Sequence, residues 1–146
     1  MTNKDNMKQP VGILTLRAYD ARGVELWRAA ACNRIVATGY AAAAEALAGV
    51  AGARIAQVGA GTSGNEPTDN DTQIADAVRV DVQSIEYPTP STVRFNFTFG
   101  YDDAVGMTIR EFGLYTADGR LFSRKVREPI EKTQYMSLVG AWDIHF

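Results

Sequence analysis

Proton-transfer chemistry near neutral pH leans on histidine or on carboxylates with displaced pKa values, and this chain arranges few of either in a suggestive way. Its single histidine, His145, stands one residue from the last position. Alternation along the final strand sets it on the face opposite Trp142 and Phe146, where a solvent-facing or interface histidine is expected, because an acid–base role needs a pocket and a partner. No serine occupies a G-x-S-x-G turn. Gly59-x-Gly61-x-x-Gly64 fits the letters of a dinucleotide fingerprint. Asn65-Glu66-Pro67-Thr68-Asp69-Asn70-Asp71 follows it where a pyrophosphate-holding helix would have to begin, so the segment reads as a flexible turn. The lysine of a phosphate-cradling loop is missing after Thr62-Ser63-Gly64. Glu66, Asp69 and Asp71 gather oxygens that suit a hard cation, yet their spacing lacks the alternating ligands and the glycine of an EF-hand loop. The acidic loop 66–71 therefore reads as solvated, with ion binding left open. Arg110 and Glu111 adjoin in a strand and point to opposite faces, so each is expected to pair across the sheet or to be buried with a partner. No catalytic, cofactor-binding or metal-ligating residue is assigned on these grounds, and neither enzyme activity nor a cofactor is expected.

Composition narrows the partners. The one cysteine, Cys32, excludes an intrachain disulfide and a cysteine-based zinc site within one chain, and reads as a buried small apolar residue. With 15 basic and 17 acidic residues the chain carries no excess of positive charge to neutralise phosphates. Its longest basic cluster, Arg120, Arg124, Lys125 and Arg127, is flanked by Asp118, Glu128 and Glu131, so nucleic acid is not an expected partner. The first ten residues lack an apolar signal region, and no run approaches the ~18 apolar residues of a membrane span. A soluble product made in the cytoplasm, with no membrane partner, is the expectation.

The elements that must position these residues are mostly strands. Residues 1–10 read as a flexible polar arm ending at Pro10, and residues 11–146 as a single domain. Strands are expected over 11–19, 24–28, 54–58, 78–85, 93–99, 108–116, 120–126 and 135–146. Residues 93–99 are the clearest, with Val93, Phe95, Phe97 and Phe99 on one face. Gly140 is a gap or bulge point in the last strand, and Asp118-Gly119 signals a type I′ hairpin. One helix is expected over 40–48, capped by Thr38, stopped by Gly49, and lying across a sheet on the face of Tyr40, Ala43, Ala44 and Leu47. Residues 59–72 form a long polar loop. Short connections make the pairing antiparallel. The expected fold is mostly β: an antiparallel β-sandwich of seven or eight strands, or a strongly curled sheet, with one α-helix packed on it.

Four segments occur in an order that resembles a family. They are Asn33-Arg34-Ile35-Val36-Ala37-Thr38-Gly39 before the alanine-rich helix; Gly59-Ala60-Gly61-Thr62 followed by Pro67-Thr68-Asp69-Asn70-Asp71-Thr72; Thr108-Ile109-Arg110-Glu111-Phe112-Gly113-Leu114-Tyr115 followed by Asp118-Gly119-Arg120-Leu121-Phe122-Ser123-Arg124; and Ile130-Glu131-Lys132-Thr133 before a strand ending Trp142-x-Ile144-x-Phe146. Together they span about residues 33–146 and resemble phage and prophage tail structural proteins of the tail-tip, baseplate and fibre N-terminal type. The resemblance implies a virion structural protein that is homo-oligomeric and partnered by other phage structural proteins. An adaptor or baseplate component fits better than a complete fibre, since the chain stops at Phe146. The competing expectations are a capsid cement or decoration protein, which would also be β-rich and oligomeric, and a carbohydrate-binding module using Tyr87, Tyr101, Tyr115 and Trp142 to stack on sugars.

Overall fold

Nine antiparallel strands and one α-helix make up residues 9–146, the part of the chain that the computed structural model describes. The arm expected over residues 1–10 lies outside the described residues except for Gln9 and Pro10, which precede the first strand. The strands are β1 (Val11–Tyr19), β2 (Glu25–Ile35), β3 (Ile55–Gly61), β4 (Val78–Asp81), β5 (Ser84–Thr89), β6 (Thr92–Phe99), β7 (Thr108–Thr116), β8 (Leu121–Glu131) and β9 (Ser137–His145). They form one curled sheet in the order β4-β3-β7-β8-β2-β1-β9-β6-β5.

Two corrections to the expected architecture follow. The halves of the sheet are joined rather than separate, because β2 pairs with β1 over Glu25–Asn33 and then with β8 through Arg34 and Ile35. The strand expected over 78–85 is two strands, which brings the number to nine. At the break the Val82 N–H donates to Ala56 O of β3, and the next N–H, from Gln83, donates to Asn96 O of β6. The chain thus steps from one end of the sheet to the other in two residues, and the curl brings those ends together.

Inside the curl the alternating apolar residues of both halves meet. Leu14, Leu16, Phe95, Phe97, Phe99, Leu138, Trp142 and Ile144 face Val58, Ile109, Phe112, Leu114, Phe122 and Ile130. Phe99 and Phe112 bridge the halves with ring centroids 6.0 Å apart. Gly140 is not a bulge: β9 keeps its register there with β1 and β6, and the ring of Phe97 lies where a Cβ would stand.

Helix α1 (Ala37–Leu47) packs on β8 by a different face from the one expected. Gly39 and Ala42 are buried, whereas Tyr40, Ala44 and Leu47 are exposed. Gly39 is there because the Phe122 carbonyl occupies the space of its Cβ. Thr38 lies inside the helix and donates from Oγ1 to Leu121 O at 2.6 Å instead of capping. At the other end Gly49 has φ +89°, its N–H bonds Ala46 O and the Val50 N–H bonds Glu45 O, a Schellman stop. The Asp118-Gly119 hairpin is not type I′, since Gly119 alone has positive φ and its N–H reaches Thr116 O. It is a type I turn followed by a left-handed glycine.

Candidate functional site

The most elaborate polar arrangement lies on the outer face of β7 and β8, where residues 62–77 fold back over the sheet. Gly59 of β3 and Gly113 of β7 are directly paired. With no side chain on either, a hollow forms that the Tyr115 ring and Ile74 fill. Tyr115, Ile74, Leu121 and Val36 make a small apolar cluster of their own, and the Ile74 N–H donates to Tyr115 Oη at 3.2 Å. Gly61 is required for a similar reason: Glu111 and the Ala75 carbonyl crowd the position of its Cβ.

Glu111, fully buried, projects from β7 into the mouth of this loop. Its Oε2 accepts the Ser63 N–H at 2.5 Å and the Ala75 N–H at 3.0 Å. Its Oε1 accepts Arg124 Nε at 2.9 Å. Arg124, 4% exposed, also donates from Nη1 to Asp71 Oδ2 at 2.9 Å. A carboxylate at this depth is tolerable only when paired and hydrogen-bonded, and here it closes both ends of the loop. Burial opposes ionisation of Asp71, but the N–H and hydroxyl of Thr68 together with Arg124 outweigh it and hold that carboxyl below its ordinary range. Asp69 pairs with Arg34 at 2.8 Å.

The residues singled out for chemistry are therefore dispersed into structural contacts. The glycines of the G-x-G-x-x-G match do not make a flexible turn as expected: Gly59 and Gly61 lie in β3 and serve close packing. Among the described residues no group of three or more His, Cys, Asp or Glu is placed to hold a metal ion, and two carboxylates of the acidic loop, Asp69 and Asp71, meet arginines. His145 bonds Thr92 Oγ1 through Nδ1 at 2.9 Å. Tyr115 and Trp142 are fully buried, Tyr101 donates its hydroxyl to Asp20 O at 2.6 Å, and of the four aromatics considered for sugars Tyr87 stays most open. Cys32, expected to be buried, is exposed, because it pairs with Ile13 on the outer face of the sheet, opposite the face that carries Leu14 and Leu16.

Three features were not read from the sequence. The Glu111 partners come from segments far apart in the chain, and no local pattern announces them. Lys132, 1% exposed, donates from Nζ to Gly100 O at 2.9 Å and Thr133 O at 3.0 Å. Burial pushes its pKa down, with Asp103 and Asp102 opposing that shift. An apolar hollow lies between α1 and the β5–β6–β9 end, edged by exposed Leu47, Tyr87 and Phe146. Compared with known proteins, the chain matches no family model, no curated protein and no solved structure. No helix of the described residues is long and apolar enough to cross a membrane.

Proposed function

We propose that this chain is a non-enzymatic structural protein of a phage virion, a tail, baseplate or fibre-attachment component that self-assembles and joins tail parts. The observation that carries the reading is where the resembling segments meet. Gly59 and Gly61, Asp71, Glu111, Gly113 and Arg124 all belong to those segments, and all contribute to one buried lock that fixes residues 62–77 on the sheet. The residues that carry the resemblance thus determine shape. The buried ionisable side chains Glu111, Arg124 and Lys132 each hold backbone atoms, which suits a part whose work is contact. The sheet leaves open edge and open apolar surface on which neighbours can dock.

The test is to raise antibodies to the protein and label purified particles of a phage that encodes it, alongside its mass in solution by light scattering. The expected result is label at the tail and a defined oligomer. A monomer that is absent from purified particles removes the reading; label spread over the head favours the decoration alternative.

A further inference from the structure

Between α1 and the β5–β6–β9 end of the sheet the core lies open. A hollow of about 620 Å³ remains there. Its floor is core: Phe95, Phe122 and Ile144 belong to the main apolar cluster and also line the hollow. Ala43, Ala44 and Ala46 of α1 form one wall, and Ile85 and Val93 the other. Ile85 pairs with Phe95, so it points inward, and alternation along β5 sends Tyr87 the same way. The rim is more exposed than the walls. Leu47, the last residue of α1, is 92% exposed, Tyr87 74% and Phe146 68%.

The size of this face matters. An aromatic side chain offers about 150–250 Å². Leu47, Tyr87 and Phe146 are each more than two-thirds open, and Ile85 is half open. Together they bring the patch to several hundred Å², the scale of an interaction site. That is an appreciable share of the about 800 Å² per partner that a stable complex buries. The lining holds one ionisable side chain, Arg54, and neither lysine nor a carboxylate side chain. Aromatic residues and arginine with few other charges are the composition of an interface centre.

The same face carries a projection and a recess. Leu47 stands almost free, and the recess beside it is apolar. A two-fold axis midway between them seats each copy's Leu47 in the other's hollow in one operation, which is the self-complementarity that an isologous contact requires. The alanines keep the α1 wall low, so an incoming leucine meets no bulky side chain there. A foreign partner would have to bring a projection of its own; a second copy already has one. We propose that this face is an interface between two copies of the chain, with Leu47 of each seated in the hollow of the other. This rests on the reading of the protein as a self-assembling part and names the surface by which it assembles.

Sedimentation equilibrium of the full chain is expected to show a dimer with a dissociation constant on the order of 10 μM or below. Leu47→Asp, at a position too exposed to endanger the fold, should weaken the dimer by about thirtyfold or more, and Tyr87→Ser by about tenfold or more. Tyr135→Ser removes a comparably open ring just before β9, at the end remote from Phe146, and should change the constant by less than about twofold. In a mixture of isotope-labelled and unlabelled protein, filtered NOEs should join the Leu47 methyls of one copy to the Tyr87 or Phe146 ring of the other. A chain that stays monomeric at about 100 μM, a dimer indifferent to Leu47→Asp, an equal loss in Tyr135→Ser, or filtered NOEs confined to other residues overturns the proposal; the first leaves the hollow to a different protein. Particle labelling is a separate readout: tail label on a monomer, or on an oligomer that Leu47→Asp does not disturb, removes this inference alone, and a dimer through this face without particle label removes the tail reading alone.

Discussion

Two long loops are each pinned by one buried ionisable side chain, and they are pinned in opposite ways. Residues 62–77 are held by a carboxylate: Glu111 accepts two backbone N–H groups and leans on Arg124, which leans on Asp71. Residues 100–107 are held by an ammonium: Lys132 donates to the Gly100 and Thr133 carbonyls, and among the described residues it forms no ion pair. The first device neutralises its charge within the fold, whereas the second places a cation against carbonyl dipoles and the more distant Asp102 and Asp103. Removing Glu111 from the first therefore takes from buried Arg124 one of its two carboxylates and leaves two N–H groups without an acceptor, whereas removing Lys132 strands only carbonyls.

That difference sets an order of effects. Glu111→Ala leaves Arg124 buried with Asp71 as its remaining carboxylate, and should cost about 3–5 kcal/mol in urea unfolding. Limited proteolysis should then cut within 62–77 and spare 100–107. Arg124→Lys keeps the charge but not the fork that reaches Glu111 and Asp71 together; a loss of about 1–3 kcal/mol is expected on the same urea curve. Lys132→Met keeps most of the packing and relieves the buried charge, so its cost should be about 1–2 kcal/mol, with cleavage moving to 100–107. Combining Glu111→Ala with Lys132→Met should add to within about 0.5 kcal/mol, as the loops share no partner; a larger discrepancy would mean that the two locks communicate.

pH offers the finest separation. A lysine with a lowered folded pKa binds fewer protons folded than unfolded, so stability rises with pH from that lowered value up to the ordinary 10.5 and falls on the way back. Asp71 acts at the other end: its depressed carboxyl supports the fold above the usual aspartate range and ceases to as pH drops through the folded value. Thermal melts across both ranges should show the alkaline slope vanish in Lys132→Met and the acid slope diminish in Asp71→Asn.

How much of this was legible in the sequence depends on the range of the contact. The bounds of β1, β6 and β7 were readable to within a residue because period-two alternation is a local property of half-buried strands. Gly49 was readable as a stop for the same reason. The buried face of α1 was not, since alanines occur all round it and the face is chosen by where the Phe122 carbonyl leaves room. Glu111 could be marked as needing a partner, but its position opposite Ser63 and Ala75 depends on a loop returning across three strands. Cys32 looked like core because its neighbours are small and apolar; its exposure depends on the register with β1, which sets it opposite Ile13 on the outer face.

The step at Val82–Gln83 has a consequence for how the chain reaches its final form. Successive amides there fasten opposite ends of the strand order, so the two bonds exist together only when the sheet is wrapped. Such a clasp closes a sheet whose many distant pairings already favour folding on the slow side, ms–s. Severing the backbone between those two residues would leave the two ends of the wrap held together by the core between them instead of by the chain.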